Sequence, residues 1–280
     1  MDNRHDAVKQ ELGNHFSTGA AALPPLPPNS QRLRHWSASE APQPAQTDQL
    51  LRHDPLLESR LQHFAALHLR HHPDDEADLS ELVAQLGPQH LGHLVLALEL
   101  CCPSEIREPR LQKVLNKRWA LSLRRAALSA GLAQHVPHLD SVDALLAGLV
   151  QDIGCHPLLE ELQHWPQVSR LECDLQRLCD QLSAELGAML LSAWQLEPAL
   201  VDCARLRRDW CRQHKGPADL ADVVQVADQL LEEPRDDDRL ARLPAFQRLL
   251  LPPPRELRPE LAESVALWLK LLGGRPNEVD

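Results

Sequence analysis

Leucine, alanine and valine recur every three or four residues along most of this chain, which is the spacing of a buried helix face. Proline and glycine interrupt the pattern at intervals and predict where helices begin and end. The predicted helices cover residues 47–69 with a break near Pro55, 79–86, 88–100, 107–133, 144–153, a short segment from Pro157, 170–195, 198–213, 217–231 and 257–272. No segment reads convincingly as a strand and no unit repeats, so the pattern predicts an all-α fold of about ten helices joined by short loops.

Local signals mark several of the predicted helix ends. Gly87 is expected to end one helix and Pro88 to open the next. Asp140 and its neighbours are expected to cap the helix over 144–153, and Asp78 the helix over 79–86. Three parts follow along the chain: a polar, flexible N-terminal tail (1–21), a main helical domain (22–231), and a charged linker with a C-terminal helical extension (232–280).

Composition supports this fold class and limits the kinds of partner that the protein is expected to bind. The chain has 280 residues, of which 43% are hydrophobic but only 3% aromatic, so a core of Leu, Ala and Val is expected, and these residues favour helices over sheet. The net charge of −11 argues against broad electrostatic binding to nucleic acid or to an anionic membrane.

Targeting signals and cysteine usage predict a cytoplasmic protein. No run of about 18 apolar residues occurs that could span a membrane, and no apolar segment near Met1 resembles a secretion signal. The seven cysteines form no C-x-x-C pair and are expected to be reduced thiols that pack as small hydrophobic side chains.

Fifteen histidines suggest a metal enzyme, but their spacing gives little support. His68, His71 and His72 share one helix face with a spacing that can bind zinc, yet their position at a helix end favours a solvated terminus. Gly-rich phosphate loops and the G-x-S-x-G and H-E-x-x-H motifs do not occur. The residues alone therefore predict no cofactor and no bound metal.

Two segments could suggest binding to a polyanion. Residues 78–102 have the outline of a helix-turn-helix but contain no Lys or Arg, so a packed helical hairpin is expected there. A basic stripe runs along the helix predicted for 107–133, through Arg110, Lys113, Lys117 and Arg124. Such a stripe is usually a solvated face, and here we expect it to lie opposite the acidic segment 232–238; the alternative is an anion or partner site.

Residues 147–154 (AGLVQDIG) and six further segments resemble the HDOD domain, and they occur in the same order as in that domain. Residues 147–154 are similar to its GLLHDIG segment. The other segments that resemble the domain are 23–28, 54–61, 82–96, 119–126, 184–191 with Trp194, and 224–228. The HDOD domain is an offshoot of the HD phosphohydrolases and occurs in bacterial signalling proteins. The resemblance implies an HDOD-like multi-helix bundle over 22–231.

The chain departs from the HD pattern where a metal would bind. The resemblance places the family's metal-ligand positions on Leu121, on the pair Gln151–Asp152 and on Asp228, and its later histidine positions on Ser183 and around Arg207. Leucine has no lone pair to offer a metal and Gln replaces a metal-bound imidazole poorly, so only Asp152 and Asp228 remain as ligands. Two carboxylates could hold at most a weak, water-rich Mg²⁺ or Ca²⁺.

The resemblance therefore implies a bacterial signalling or regulatory module that is not an enzyme and acts through a protein partner. Asp152 is expected to remain as a polar anchor at a helix end. One alternative is a cationic cleft that binds a phosphate-bearing ligand, such as a nucleotide second messenger, through Lys117, Arg124, Arg207 and Arg208. A residual metal-dependent phosphohydrolase is a weaker alternative.

Overall fold

The described part of the chain consists of helices and connecting turns. The computed structural model describes residues 2–37, 53–68, 79–101, 105–232 and 235–273. The helices are α1 (Asp2–Ser17), α2 (Pro28–Ser37), α3 (Pro55–His68), α4 (Leu79–Glu99), α5 (Pro109–Ala133), α6 (Ser141–Val150), α7 (Cys155–Glu161), α8 (Glu172–Ala193), α9 (Pro198–Arg205), α10 (Leu220–Leu231), α11 (Asp237–Arg242), α12 (Pro244–Leu249) and α13 (Pro254–Leu271). No strand occurs within these ranges, and the predicted all-α class is confirmed.

The chain folds into two compact units. The first contains residues 1–25 and 103–265, and the second contains residues 26–102 and 266–280. The first unit therefore holds α1, α5 to α12 and most of α13. The second unit holds α2, α3, α4 and the end of α13, so the C-terminal segment 232–280 is shared between the units.

The pair α5 and α6 is the most extensively packed helix pair of the first unit. Asp140 caps α6 as predicted, because its Oδ1 accepts hydrogen bonds from the backbone N–H groups of Val142 (2.7 Å) and Asp143 (3.3 Å), although the helix already begins at Ser141. Gly148 allows the two helices to approach, since a Cβ atom there would lie 2.8 Å from the Ala126 Cα. The chain then turns and enters α7 beside α8.

The N-terminal segment differs from the sequence prediction. A flexible tail was expected over residues 1–21, but residues 2–17 form α1, which belongs to the first unit. Leu12 and Phe16 are buried in a cluster with Leu158 and Leu175 from α7 and α8. Val8, four residues before Leu12, packs against the same cluster, but the rest of the helix is mostly polar, and this short apolar stripe does not reveal burial without its partner helices.

Helix ends in the later part of the chain also differ from the prediction. The helix expected over 198–213 ends at Arg205, and the helix expected from Pro217 begins at Leu220, where Asp219 and Asp222 form a reciprocal capping box. The segment predicted as a linker and extension after α10 contains the short helices α11 and α12.

The second unit contains the hairpin that could have suggested DNA binding. Gly87 adopts φ 71°, which interrupts α4 between two helical arms, as Gly87 and Pro88 predicted. Leu91 and Leu94 on the second arm are fully buried, so this arm packs as a core helix. Glu99 at the end of α4 accepts hydrogen bonds from the backbone N–H groups of Asn29 and Ser30, both at 2.8 Å. Asp78, His71, His72 and the predicted helix start over 47–52 lie outside the described residues.

One stretch of the described chain, Ser141–His164, is long and apolar enough to cross a membrane on length and composition alone. About nine-tenths of its most apolar window (89%) is buried within the protein. Such burial is expected of core helices, so we interpret this stretch as part of the core of the first unit.

Candidate functional site

Asp152 lies at the centre of a polar cluster inside the first unit. It follows α6 in the turn 151–154, and 4% of its side chain is exposed. Gly154 brings this turn against α8, because a Cβ atom there would lie 2.3 Å from the Ser183 carbonyl oxygen. No residue other than glycine fits such a backbone approach, so the glycine of the turn positions the carboxylate beside α8.

Three guanidinium groups and one hydroxyl surround the Asp152 carboxylate. Arg207, in the turn after α9, lies 2.8 Å from Oδ1, and the Ser183 hydroxyl donates a hydrogen bond of 3.0 Å to the same oxygen. On the other side, Arg118 and Arg125 of α5 lie 3.3 Å and 3.9 Å from Oδ2. Both carboxylate oxygens therefore face cationic nitrogens.

Two of these arginines also bind a second carboxylate. Arg118 donates to Asp180 Oδ1 at 2.6 Å, and Arg125 donates through Nε to Asp228 Oδ1 at 2.7 Å. Arg207 instead donates its other nitrogen to the Ser183 hydroxyl. We call this set the Asp152 cluster; it contains Arg118, Arg125, Asp152, Asp180, Ser183, Arg207 and Asp228. It joins α5, α8, α10 and two turns through ionic hydrogen bonds.

The arginines determine the charge state of Asp152. Burial alone would oppose ionisation, but Arg207, Arg125 and Arg118, followed by the Ser183 hydrogen bond, outweigh it and lower the pKa of Asp152 to about 2. Burial also opposes the charge of Arg125, but Asp228 and Asp152 outweigh it and raise its pKa. At neutral pH the cluster is thus a network of matched opposite charges.

The residues present do not fit a metal centre. Asp152 offers no oxygen free of a guanidinium, and Asp228 accepts from Arg125. A divalent cation at this point would meet three arginines at close range, and the repulsion would oppose its binding. Arginine cannot lose its proton to become a ligand.

The structure brings together most of the predicted site positions. Asp152, Ser183, Arg207 and Asp228 all belong to the Asp152 cluster. Gln151 adjoins it and is buried, and neither polar atom of its amide has a hydrogen-bond partner in the described structure. Leu121 lies on α5 between Arg118 and Arg125, and 41% of it is exposed.

The four residues predicted to bind an anion occupy different environments. Arg207 is buried against Asp152, Arg208 pairs with Asp180 at 2.8 Å, and Lys117 pairs with Glu172 of α8. Arg124 is half-buried and makes no ion pair with any described residue. Two residues of the basic stripe, Lys113 (3.2 Å) and Lys117, therefore pair with Glu172, whereas the sequence analysis expects the stripe opposite the acidic segment 232–238. Anion binding itself stays a prediction.

Arg118 and Arg125 bracket Leu121 in the sequence, but they are not among the predicted site residues, and neither is Asp180. Arg118 and Arg125 are seven residues apart, which places them on one face of α5, and Asp180 precedes Ser183 by three residues on α8. These spacings were visible in the sequence. What was not visible is that the two faces meet at Asp152.

A second ionic cluster lies at the start of α10. The donor atoms of His214, Asp219 and Asp222 lie within 4.8 Å of one another. However, Arg212 binds Asp219 at 2.8 Å, and Arg248 binds the buried Asp222 at 3.2 Å. These arginines supply the counter-charge, so the cluster fixes the loop before α10 and has no carboxylate available for a metal.

Comparisons with known proteins agree with this fold. The sequence profile of the HDOD domain matches residues 23–209. The structure is similar to that of a candidate metal-dependent phosphohydrolase from Shewanella amazonensis SB2B, with a TM-score of 0.85, 20% identity, and coverage of 97% of this chain and 100% of that chain.

Two other solved structures are similar over most of the chain. An HDOD domain protein of unknown function from Geobacter sulfurreducens has a TM-score of 0.61 at 19% identity, and covers 95% of this chain and 98% of its own. A candidate signal transduction protein from Marinobacter aquaeolei VT8 has a TM-score of 0.53 at 15% identity, over 90% of this chain and 60% of that one. No curated protein matches this sequence significantly.

Proposed function

The chain belongs to the HDOD domain family, and on this premise we propose that it is a regulatory module of bacterial signal transduction that binds a protein partner and catalyses no reaction. The regulatory role is supported by the family and by the similarity to a candidate signal transduction protein. The bacterial sources of the similar structures support a bacterial origin. Free cysteines such as Cys155 and Cys179 are compatible with the reducing cytoplasm.

One observation carries the proposal that the module is not an enzyme: three arginines surround Asp152, which is one of the two carboxylates that remain at the family's metal-ligand positions. Hydrolysis by a metal site requires an open coordination position and a bound water of lowered pKa. Asp152 is instead held by Arg207 at 2.8 Å and by Arg118 at 3.3 Å, and Leu121 and Gln151 offer no replacement ligand of comparable strength.

Metal analysis tests this part of the proposal. The purified protein is incubated with Mn²⁺, Fe²⁺ or Zn²⁺ and dialysed, and its metal content and phosphodiester hydrolysis are measured. We expect well below one metal per chain and no metal-dependent turnover. Stoichiometric metal together with turnover that is lost in Asp152→Asn would overturn it.

Affinity capture tests the partner. The tagged protein is cross-linked in its native cells, and every captured protein is then mixed in purified form with the purified chain. We expect one partner to co-elute with it as a defined complex. If no purified candidate binds, the protein-partner proposal fails.

The same preparation separates our proposal from the phosphate-ligand alternative. A phosphate that bound to Arg207 would have to displace the buried Asp152 carboxylate, which opposes that alternative. Calorimetric titration with nucleotides, with Arg124→Ala and Arg207→Ala as controls, should give no heat of binding. Saturable heat that both substitutions abolish would favour the alternative over our proposal.

A further inference from the structure

Within the Asp152 cluster, Arg207 has Asp152 as its one carboxylate partner. Among the described residues, Asp152 is the only carboxylate that Arg207 contacts, whereas Arg118 has Asp180 and Arg125 has Asp228 as second partners. Both members of the pair are almost fully buried, with 4% and 7% of their side chains exposed. Removing Asp152 would leave Arg207 without a carboxylate, and removing Arg207 would leave the buried Asp152 with only the more distant guanidinium groups of Arg118 (3.3 Å) and Arg125 (3.9 Å).

Arg207 also has the geometry of a bridging cation. One of its terminal nitrogens contacts Asp152 in the turn after α6, and the other donates to Ser183 of α8. The Ser183 hydroxyl in turn donates to the Asp152 carboxylate. The three groups form a closed triangle, in which a planar guanidinium holds two separate segments at fixed distance.

From this arrangement we propose that Arg207 is a built-in replacement for the bound metal ion. Its guanidinium supplies positive charge beside Asp152, which is one of the two carboxylates that remain at the family's metal-ligand positions. The protein therefore assembles this part of its fold permanently and without metal. This inference deepens the proposed function, because it explains how the module keeps the fold of a hydrolase without the ion.

The proposal predicts that removing Arg207 makes the fold dependent on an added cation. Arg207→Ala leaves Asp152 buried and creates space of guanidinium size beside it. A small guanidinium ion added in solution can occupy that space and bind only the folded state, which raises the melting temperature.

The experiment compares Arg207→Ala with Arg208→Ala. Both remove one arginine from adjacent positions, but 55% of Arg208 is exposed and its partner Asp180 keeps Arg118. We expect Arg207→Ala to lower the melting temperature by roughly 6 °C or more and Arg208→Ala by less than about 2 °C.

Millimolar methylguanidinium is the probe. It should raise the melting temperature of Arg207→Ala by several degrees and leave the wild type and Arg208→Ala unchanged or slightly lower. Equal effects on both variants would overturn the proposal, since they would show that no specific cation site is formed.

A double variant covers the case in which Arg207→Ala does not fold. Arg207→Met/Asp152→Asn removes the pair as a unit, while Arg118 keeps Asp180 and Arg125 keeps Asp228. We expect it to melt at a higher temperature than Arg207→Met alone. If it melts at the same or a lower temperature, or does not fold, the proposed role is refuted. Metal content and partner binding test the proposed function separately, so either can fail without the other.

Discussion

Replacing Asp152 by asparagine removes one buried negative charge and leaves its shape nearly unchanged. The substitution takes away the counter-charge that faces Arg118, Arg125 and Arg207. Arg207 then has no carboxylate partner among the described residues. The neutral amide can still accept a hydrogen bond from Ser183, so the loss is mainly electrostatic.

The size of the effect follows from the pKa of Asp152. The folded protein lowers this pKa from 3.8 to about 2, which corresponds to about 2 kcal/mol of extra stability in the charged form. Breaking a buried ion pair by removing one partner typically costs about 3–5 kcal/mol. We therefore expect Asp152→Asn to lower the free energy of unfolding by about 2–4 kcal/mol at neutral pH.

Urea unfolding followed by circular dichroism and tryptophan fluorescence measures this difference. The matched control is Asp202→Asn, which removes an exposed carboxylate that pairs with Arg205 on the surface of α9. It should change the free energy of unfolding by less than about 0.5 kcal/mol.

The pH dependence provides a stricter test. The folded pKa of Asp152 is depressed, so its contribution is fully present above the unfolded value of 3.8 and is lost as the pH falls towards about 2. The difference between wild type and Asp152→Asn should therefore shrink by about 2 kcal/mol over this range, wherever both proteins stay folded. A constant difference, or a neutral-pH effect no larger than that of Asp202→Asn, would refute the electrostatic reasoning.

Four further substitutions, one of them a control, test helix packing and capping by the same unfolding assay. Gly154→Ala should destabilise the first unit by about 3 kcal/mol or more, because the new Cβ would meet the Ser183 backbone. The control is Gly13→Ala, in open space on α1, which should stabilise the protein by up to about 1 kcal/mol. An equal change in the free energy of unfolding for both variants would contradict the close approach of Gly154 to the Ser183 backbone. Phe16→Ala should lower the free energy of unfolding by about 3–5 kcal/mol if α1 is part of the core. An effect near zero would instead support the flexible tail that the sequence predicts. Asp140→Ala should cost about 1 kcal/mol through loss of the α6 cap, and an unchanged unfolding curve would mean that the cap adds nothing.

Local chemistry in the sequence predicted much of the helical framework. Asp140 caps α6 and the pair Gly87–Pro88 interrupts α4, because capping and backbone conformation depend on a few neighbouring residues. The order of the resembling segments also identified the family, and the matched range 23–209 lies within the predicted domain.

The N-terminal helix shows where this local reasoning ends. Leu12 and Phe16 form a short apolar stripe with Val8 on a mostly polar helix, and their burial depends on α7 and α8, which follow more than a hundred residues later. A helix of this kind derives its stability from tertiary packing and not from its own pattern.

The sequence by itself determined which chemical groups are present at the site: carboxylates retained at Asp152 and Asp228, no histidine at Leu121 or Gln151, and arginine at 207. Only the tertiary structure decided what those groups do. Arg125 and Asp228 are 103 residues apart in the chain and Arg118 and Asp152 are 34 apart, yet both pairs are in contact. Because the energy of a charge depends on the charges near it in space and on burial, Arg207, which the sequence placed in a candidate cationic cleft, lies instead in a network of matched charges.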